Sequence, residues 1–314
     1  MNIITAEQVH QNLSFEHLVP LLKATFSQTF TMPQRKVFHL DEEGKSNDAF
    51  ALLPSWNDEV IGTKAFTYFP ENKAEQGLAS LYSKIMLFKR QTGEPLALVD
   101  GTSVTYWRTA AVSALASSLL SKQNSQNMVL FGTGNLAPFL IRAHLSVRQL
   151  SQVTIVARTE EKATQLIKSL VNEYPQVNFQ VSNNIEHDVA QADIIICATG
   201  SSLPLFDGNW LSAGVHVDCL GNHNVDRREC DTTTVTKSRV YVDSLVNNLA
   251  EAGELLLPIA EGKFCKESIV GELADICTGD VLGRQNENEM TLFKSVGTAI
   301  SDLVTANYVY QQLI

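Results

Sequence analysis

The sequence predicts an α/β protein whose central part is a doubly wound parallel sheet, preceded by an α+β region. Three observations carry that expectation. The run Val129-Leu130-Phe131-Gly132-Thr133-Gly134-Asn135-Leu136-Ala137 passes from an apolar strand pattern through a glycine turn into an amphipathic segment. From there to residue 243, short apolar runs alternate with helical or loop segments, which is the rhythm of βαβ units. Ahead of this, the first ~100 residues read as a helix followed by extended pieces and turn signals, the pattern of a mostly antiparallel sheet.

Bulk properties set the frame. A chain of 314 residues is long enough for two domains and a large core. With 44% hydrophobic and 18% charged residues, a folded globular protein is expected rather than a disordered one. The net charge of −10 argues against a phosphate backbone as main partner. Five cysteines, at 197, 219, 230, 265 and 277, form no C-x-x-C pair, so neither a zinc site nor a disulfide framework is suggested. Cys197 and Cys219 lie in apolar runs and read as small core residues. The stretch Met1 to Glu7 lacks a basic region leading into a long apolar one, and no run is long enough to span a membrane. A cytoplasmic protein is expected.

In chain order, Phe15, Leu18, Val19, Leu22 and Phe26 recur at helical spacing within residues 14–30, with Ser14 as N-cap. Extended pieces follow at 36–40, 49–53, 60–66, 80–88 and 96–100. The turn signals Asp41-Glu42-Glu43-Gly44 and Thr92-Gly93-Glu94-Pro95 separate some of them. A helix rich in Ala and Leu is expected over 105–121, with Arg108 in its first turn. A polar break at 122–127 leads into the glycine turn. Strands are expected at about 128–131, 153–157, 178–181, 193–198, 215–220 and 239–243. Ile194-Ile195-Ile196-Cys197-Ala198 is continuously apolar, which suits a sheet covered on both faces. Residues 293–313 read as a last amphipathic helix, with Val296, Ala299, Ile300, Leu303 and Val304 as its apolar stripe.

Alone, the glycine turn is either a phosphate cradle or a plain strand–helix turn. Its place after a strand, before a helix and first in a βαβ series fits dinucleotide binding. Gly132 then permits the tight turn, Gly134 lets the backbone approach a pyrophosphate, and Ala137 allows close helix–strand packing. Thr133, Asn135 and Leu136 complete a turn whose N–H groups hold the anion. At the end of the second strand no carboxylate awaits the ribose; the first acids are Glu160 and Glu161. Arg158, with Thr159 and Lys162, can instead pair with a 2′-phosphate. NADPH is the expected cofactor, NADH stays open, and the alternative for Arg158 is a solvated surface residue. Thr199, in Ala198-Thr199-Gly200-Ser201-Ser202, ends the fourth strand, where open α/β sheets bind ligands. It either faces the cofactor or forms a simple turn.

Arg35, Lys64 and Arg108 sit among apolar neighbours, where a charge needs a partner. From composition alone, salt bridges are the better reading. Arginine also suits a carboxylate through a two-pronged contact, and a desolvated lysine loses its proton readily.

The combination of Gly62-x-Lys64, Pro70-x-Asn72, Arg108-Thr109-Ala110-Ala111-x-Ser113-Ala114-Leu115-Ala116, Phe131-Gly132-x-Gly134-x-x-Ala137, Ala157-Arg158-Thr159-x-x-Lys162-Ala163, Arg228-Glu229 and Phe293-Lys294-Ser295-Val296-Gly297-x-Ala299-Ile300-x-Asp302-Leu303 resembles the ornithine cyclodeaminase/mu-crystallin family nearly end to end. The resemblance implies a homodimer of two-domain subunits. Residues 113–292 would be a Rossmann NAD(P)-binding domain, and residues 1–112 with 293–314 a substrate-binding and dimerisation domain. Arg35 and Arg108 would grip a substrate carboxylate, and Lys64 would touch the carboxylate or the reacting nitrogen. Ser295, Val296 and Gly297 would close over the nicotinamide.

The family's shared chemistry is hydride transfer at the Cα of an amino or imino acid. Its members include ornithine cyclodeaminases, alanine dehydrogenases, reductases of cyclic imino acids and crystallin-like ligand binders. Cyclodeaminases carry an aspartate after the fifth Rossmann strand. Here Gly214-Val215-His216-Val217-Asp218-Cys219-Leu220-Gly221-Asn222-His223 places His223 there, or Asn222 if the loop shifts by one, while Asp218 falls within the strand. That departure favours NAD(P)H-dependent reduction of Δ1-pyrroline-2-carboxylate or its six-membered homologue. An ornithine cyclodeaminase or alanine dehydrogenase is the alternative enzyme, and an NADPH-dependent small-ligand carrier the alternative of another class. Lys64 and His223 are the expected catalytic groups. His223 either supplies or relays a proton, or lines the site without chemistry.

Overall fold

The computed structural model describes residues 1–41 and 48–314. The turn expected at Asp41-Glu42-Glu43-Gly44 lies, beyond Asp41, outside the described residues. The chain forms two compact units, residues 1–109 with 298–314 and residues 110–297.

The first unit begins with β1 (Asn2–Ile4), α1 (Ala6–Gln11) and α2 (Phe15–Phe26). Then come β2 (Lys36–His39), β3 (Ala49–Trp56), β4 (Val60–Tyr68), the short α3 (Asn72–Glu75), β5 (Leu81–Lys89) and β6 (Pro95–Asp100). The sheet order is β1-β6-β5-β4-β3-β2. All pairings from β2 to β6 are antiparallel, and β1 adds a parallel edge beside β6. Strands β3 and β4 alternate between buried and half-exposed residues, as strands with one covered face must. In β4 that alternation puts Val60, Gly62 and Lys64 on the buried face. The helix α4 (Gly101–Leu120) follows β6 directly; Asp100 Oδ1 accepts the Ser103 N–H at 2.9 Å and so caps its first turn.

The second unit continues with β7 (Asn127–Phe131), α5 (Ala137–Val147), β8 (Gln152–Val156), α6 (Glu160–Leu170), β9 (Asn178–Val181), α7 (Ile185–Gln191), β10 (Ile194–Cys197) and β11 (His216–Cys219). It ends with α8 (Thr232–Lys237), β12 (Ser238–Val242), α9 (Leu245–Glu251), α10 (Gly253–Ala260), β13 (Ile269–Glu272), α11 (Leu273–Thr278) and β14 (Met290–Lys294). The eight strands run parallel in the order β13-β12-β14-β11-β10-β7-β8-β9. Val129, Phe131, Ile195, Val217, Val240 and Leu292 meet in its core. The chain leaves β7 toward β8 and β9, then returns to β10 on the other side of β7. That reversal is a topological switch point, and the crevice beyond the strand ends there is where such sheets bind ligands.

The structure corrects the expected last helix. Residues 293 and 294 belong to β14, and α12 runs only over Ala299–Gln312. Met290-Thr291-Leu292-Phe293 is part of a short strand, buried from Thr291 onward, that merges in sequence with the helix stripe, so periodicity alone assigned its end to the helix. For the same reason the second unit closes at 297 rather than 292. The helix expected over 14–30 stops at Phe26, and that expected from 105 starts at Gly101. Helix α12 completes the first unit, packing on β3, β4, β5 and α2 with residues 299–307 buried.

Candidate active site

In the first unit, β4, α4 and α12 bring three buried charges together. Lys64 Nζ donates to Thr105 Oγ1 at 2.6 Å and to Asp302 Oδ1 at 3.1 Å. Arg108 Nε donates to the same oxygen at 3.0 Å. Lys64, Arg108 and Asp302 are 4%, 8% and 1% exposed, so this knot is almost free of solvent screening. Thr105 Oγ1 donates its own proton to Gly101 O at 2.6 Å, which leaves it only an acceptor toward Lys64. Burial pulls the Lys64 ammonium down to about 8, against the attraction of Asp302, and the positive charges of Arg108 and Arg35 lower it further.

The donor count shows what the knot leaves over. An ammonium has three N–H donors, and among the described residues Lys64 spends two. Among the described residues Arg108 spends only Nε, so both terminal nitrogens of its fork remain for a ligand. Half-buried Arg35 adds its field to the same place. Two of the three expected basic residues, Lys64 and Arg108, thus share one carboxylate oxygen, and the charge of Arg35 reaches Lys64. Asp302 and Thr105 were missed as site residues. The signal for Asp302 was an acid within the apolar stripe of α12.

In the second unit, β7 delivers the glycine turn. Gly132 has φ +117°, and a Cβ there would stand 2.6 Å from the Ala198 carbonyl oxygen, so this position demands glycine. Gly134 is different: around its Cβ position nothing lies within 4 Å, which leaves its backbone open to a ligand. Thr133 and Leu136 are half-buried, Asn135 is exposed and Ala137 is buried against the sheet. Leu136 caps α5 without a side-chain hydrogen bond, and Pro138 occupies the first turn. This helix start therefore fits an anion and has no side-chain acceptor of its own. Arg158, Thr159 and Lys162 are exposed together at the end of β8; Thr159 is the N-cap of α6 but makes no capping bond.

Thr199 abuts the glycine turn, since β10 pairs with β7 up to Phe131 and Cys197. Its N–H and Oγ–H both donate to Glu229 Oε1, at 2.6 and 2.8 Å. Ser295, Val296 and Gly297 form the turn after β14, with φ +86° at Gly297. Their donors converge on Asp243 at the end of β12: Ser295 Oγ at 2.7 Å, Gly297 N at 2.7 Å and Val296 N at 3.3 Å. Asp243 holds this segment as a fixed backbone turn, and sequence reasoning missed it. His223 lies exposed on the loop after β11, whereas Asn222 is buried with its amide on Ser201 O. Asp218 is inside β11, bonded to Ser113 Oγ, and burial raises its carboxyl well above the usual range.

The ornithine cyclodeaminase/mu-crystallin family model matches residues 1–314. The chain belongs to that family. Among relatives within it, the Δ1-pyrroline-2-carboxylate reductase of Colwellia psychrerythraea is 63% identical over 314 residues, covering 100% of this chain and 99% of that protein. Among solved structures, the Δ1-pyrroline-2-carboxylate reductase of Thermococcus litoralis in complex with NADH and L-proline superposes with a TM-score of 0.93 at 29% identity, covering 99% of this chain and 97% of that one. An archaeal alanine dehydrogenase dimer with bound NAD gives a TM-score of 0.91 at 24% identity, covering 99% and 95%; that likeness is one of fold.

Proposed function

We propose that this family member is an NAD(P)H-dependent reductase of a small cyclic imino acid, Δ1-pyrroline-2-carboxylate or Δ1-piperideine-2-carboxylate. The product would be L-proline or L-pipecolate. The observation that carries the reading is the buried knot, whose spare donors are one ammonium N–H and two guanidinium nitrogens. They match an imine nitrogen beside a carboxylate. The two Δ1-pyrroline-2-carboxylate reductases named above support the same reaction.

In this mechanism Arg108, aided by Arg35, fixes the carboxylate. Lys64 donates to the imine nitrogen, which makes the adjacent carbon a better hydride acceptor. The reduced nicotinamide supplies the hydride. Below about pH 8 Lys64 carries the proton, and its fall from 10.5 makes proton release easier by about 3 kcal/mol than from a solvated lysine. His223 supplies or relays a proton from the loop after β11. Asp218 is turned into the sheet toward Ser113, so its carboxylate is not offered to a substrate amino group. That supports reduction over ammonia-releasing cyclisation.

Gly132 to Ala137 hold the pyrophosphate, Thr199 and the 295–297 turn border the nicotinamide half, and exposed Arg158, Thr159 and Lys162 take the 2′-phosphate of NADPH. A homodimer belongs to the same reading. The outer face of the first unit's sheet carries Phe50, Leu52, Trp56, Ile61, Tyr82 and Met86 at least partly exposed, an apolar surface suited to a second copy. A cytoplasmic location is supported by five free thiols, and no helix among the described residues is long and apolar enough to cross a membrane.

The test is oxidation of NADPH and of NADH with five- and six-membered imino acids, and with pyruvate plus ammonia. Turnover of the cyclic imines, with the higher kcat/KM for NADPH, is expected. Turnover of pyruvate alone, or ammonia release from ornithine, overturns the substrate assignment. A preference for NADH overturns the role of Arg158.

A further inference from the structure

The Arg228-Glu229 pair of the family pattern has no part in the mechanism above, yet Glu229 is fully buried beneath the strand ends that border the cofactor site. Its Oε1 accepts both donors of Thr199, in the loop after β10. Its Oε2 accepts the Gly221 N–H at 2.7 Å, in the loop after β11. These two loops touch: a Cβ on Gly221 would stand 1.9 Å from the Thr199 carbonyl oxygen. The network continues outward. The Glu229 N–H donates to Glu254 Oε1 at 3.1 Å, Glu254 Oε2 pairs with Lys294 Nζ at 3.1 Å, and Lys294 donates to Asn222 O at 2.8 Å. Lys294 immediately precedes the Ser295–Gly297 turn. Three loops, after β10, β11 and β14, therefore share one buried polar circuit.

We infer that Glu229 is a positioning residue of the cofactor site, setting the spacing of the Thr199 and Gly221 loops so that the dinucleotide fits between them and the glycine turn. The inference rests on the cofactor reading above. A carboxylate suits the task because both oxygens only accept, and three convergent donors need a group with no donor of its own. Burying two acids and one lysine costs stability that an apolar contact would not, which points to a functional reason for keeping them. Thr199 spends its N–H and hydroxyl proton on this clamp, so it has no donor left for a ligand.

The clamp is also poised to titrate. Burial, the neighbouring Cys219 and Glu254 push the Glu229 carboxyl up to about 7, while Lys294 and the Thr199 bond pull the other way. Cys197 and the buried Asp218 carboxyl also feel its charge, and Cys230 follows it in the chain. Protonation turns one acceptor into a donor facing an N–H, and the loops lose their fixed spacing.

The experiment measures NADH affinity by nicotinamide fluorescence; NADH is chosen because it has no 2′-phosphate to titrate. In wild type, affinity is constant above about pH 8 and weakens as pH falls through about 7. Glu229→Gln places an amide N–H₂ against one of the donors, so affinity at about pH 8 drops by about tenfold, one charge-assisted hydrogen bond, and its pH dependence over this range disappears. A Glu229→Gln variant that binds NADH like wild type, or keeps the wild-type pH profile, overturns the inference. If that variant does not fold, the wild-type titration still decides: a flat profile from about pH 6 to 8 overturns it. Wild type that binds neither NADH nor NADPH removes the cofactor reading itself, a separate and recognisable result.

Discussion

Asp302→Asn removes one negative charge and keeps the side chain's shape. Asp302 Oδ1 lies 3.1 Å from Lys64 Nζ and 3.0 Å from Arg108 Nε, and all three side chains are buried. Lys64 rests at about 8 because burial, Arg108 and Arg35 lower it while Asp302 raises it. An opposite charge at this range shifts a partner by about one to three pH units, and the substitution leaves only the lowering influences. If Lys64 falls by about two units, the ammonium fraction at pH ~7.5 drops from roughly three-quarters to roughly 3%, a loss of roughly 25-fold in turnover that needs the proton. The assay is the pH profile of kcat/KM for the imino acid, since that ratio titrates groups of the free enzyme. The wild-type rate falls above about pH 8. In the variant the fall begins at lower pH, and activity recovers toward wild type on acidification. Titration of the imine itself is common to both proteins and cancels in the comparison. A variant whose falling limb coincides with that of wild type refutes the role of Asp302, and one that fails to recover in acid points to simple structural damage.

Further outcomes follow from other parts of the molecule. Lys64→Ala lowers kcat/KM by about 10²- to 10⁴-fold, the usual worth of a positioned acid, while NADPH affinity measured by fluorescence stays at the wild-type value. Gly134→Ala keeps the wild-type melting temperature, because its methyl enters open space, yet weakens cofactor binding by about tenfold or more. Gly132→Ala, by contrast, lowers the melting temperature as well, since φ +117° and the Ala198 carbonyl both oppose a side chain. His144, at the end of α5, is fully buried, and burial lowers it to about 4 from 6.5. The unfolded chain then binds the extra proton between those values, so stability is lost as pH falls from about 6.5 toward 4. Urea unfolding should show about 2 kcal/mol less stability at pH ~5 than at pH ~7 from this group, with a shallower slope in His144→Asn.

The parts of the fold that could be read from the sequence were those whose cause is local. Ile194-Ile195-Ile196-Cys197 announces a doubly covered strand because every residue of β10 is buried. The glycine turn is legible because its geometry is set within a few residues. Strand β1 was invisible: three residues form a strand only because β6 lies alongside. Lys64 and Arg108 stood out as charges among apolar neighbours. Their partner Asp302 was in plain view too, but it lies 238 and 194 residues away, so only folding could disclose the pairing. Asp243 and Glu229 precede or end loops, where acids are normally solvated. Nothing in their surroundings in sequence marks them as buried acceptors for backbone N–H groups.

The late return of the chain through β14 bears on how the protein is made. As the polypeptide leaves the ribosome, β7 to β13 can assemble only with a gap between β11 and β12, which residues 290–294 must fill. The first unit waits even longer, because its sheet is covered by α12, residues 299–312. Both units thus close only once residues 290–312 have emerged. A nascent chain halted before that stretch would display two unfinished apolar surfaces at once, which makes it a client for chaperones rather than a half-working enzyme.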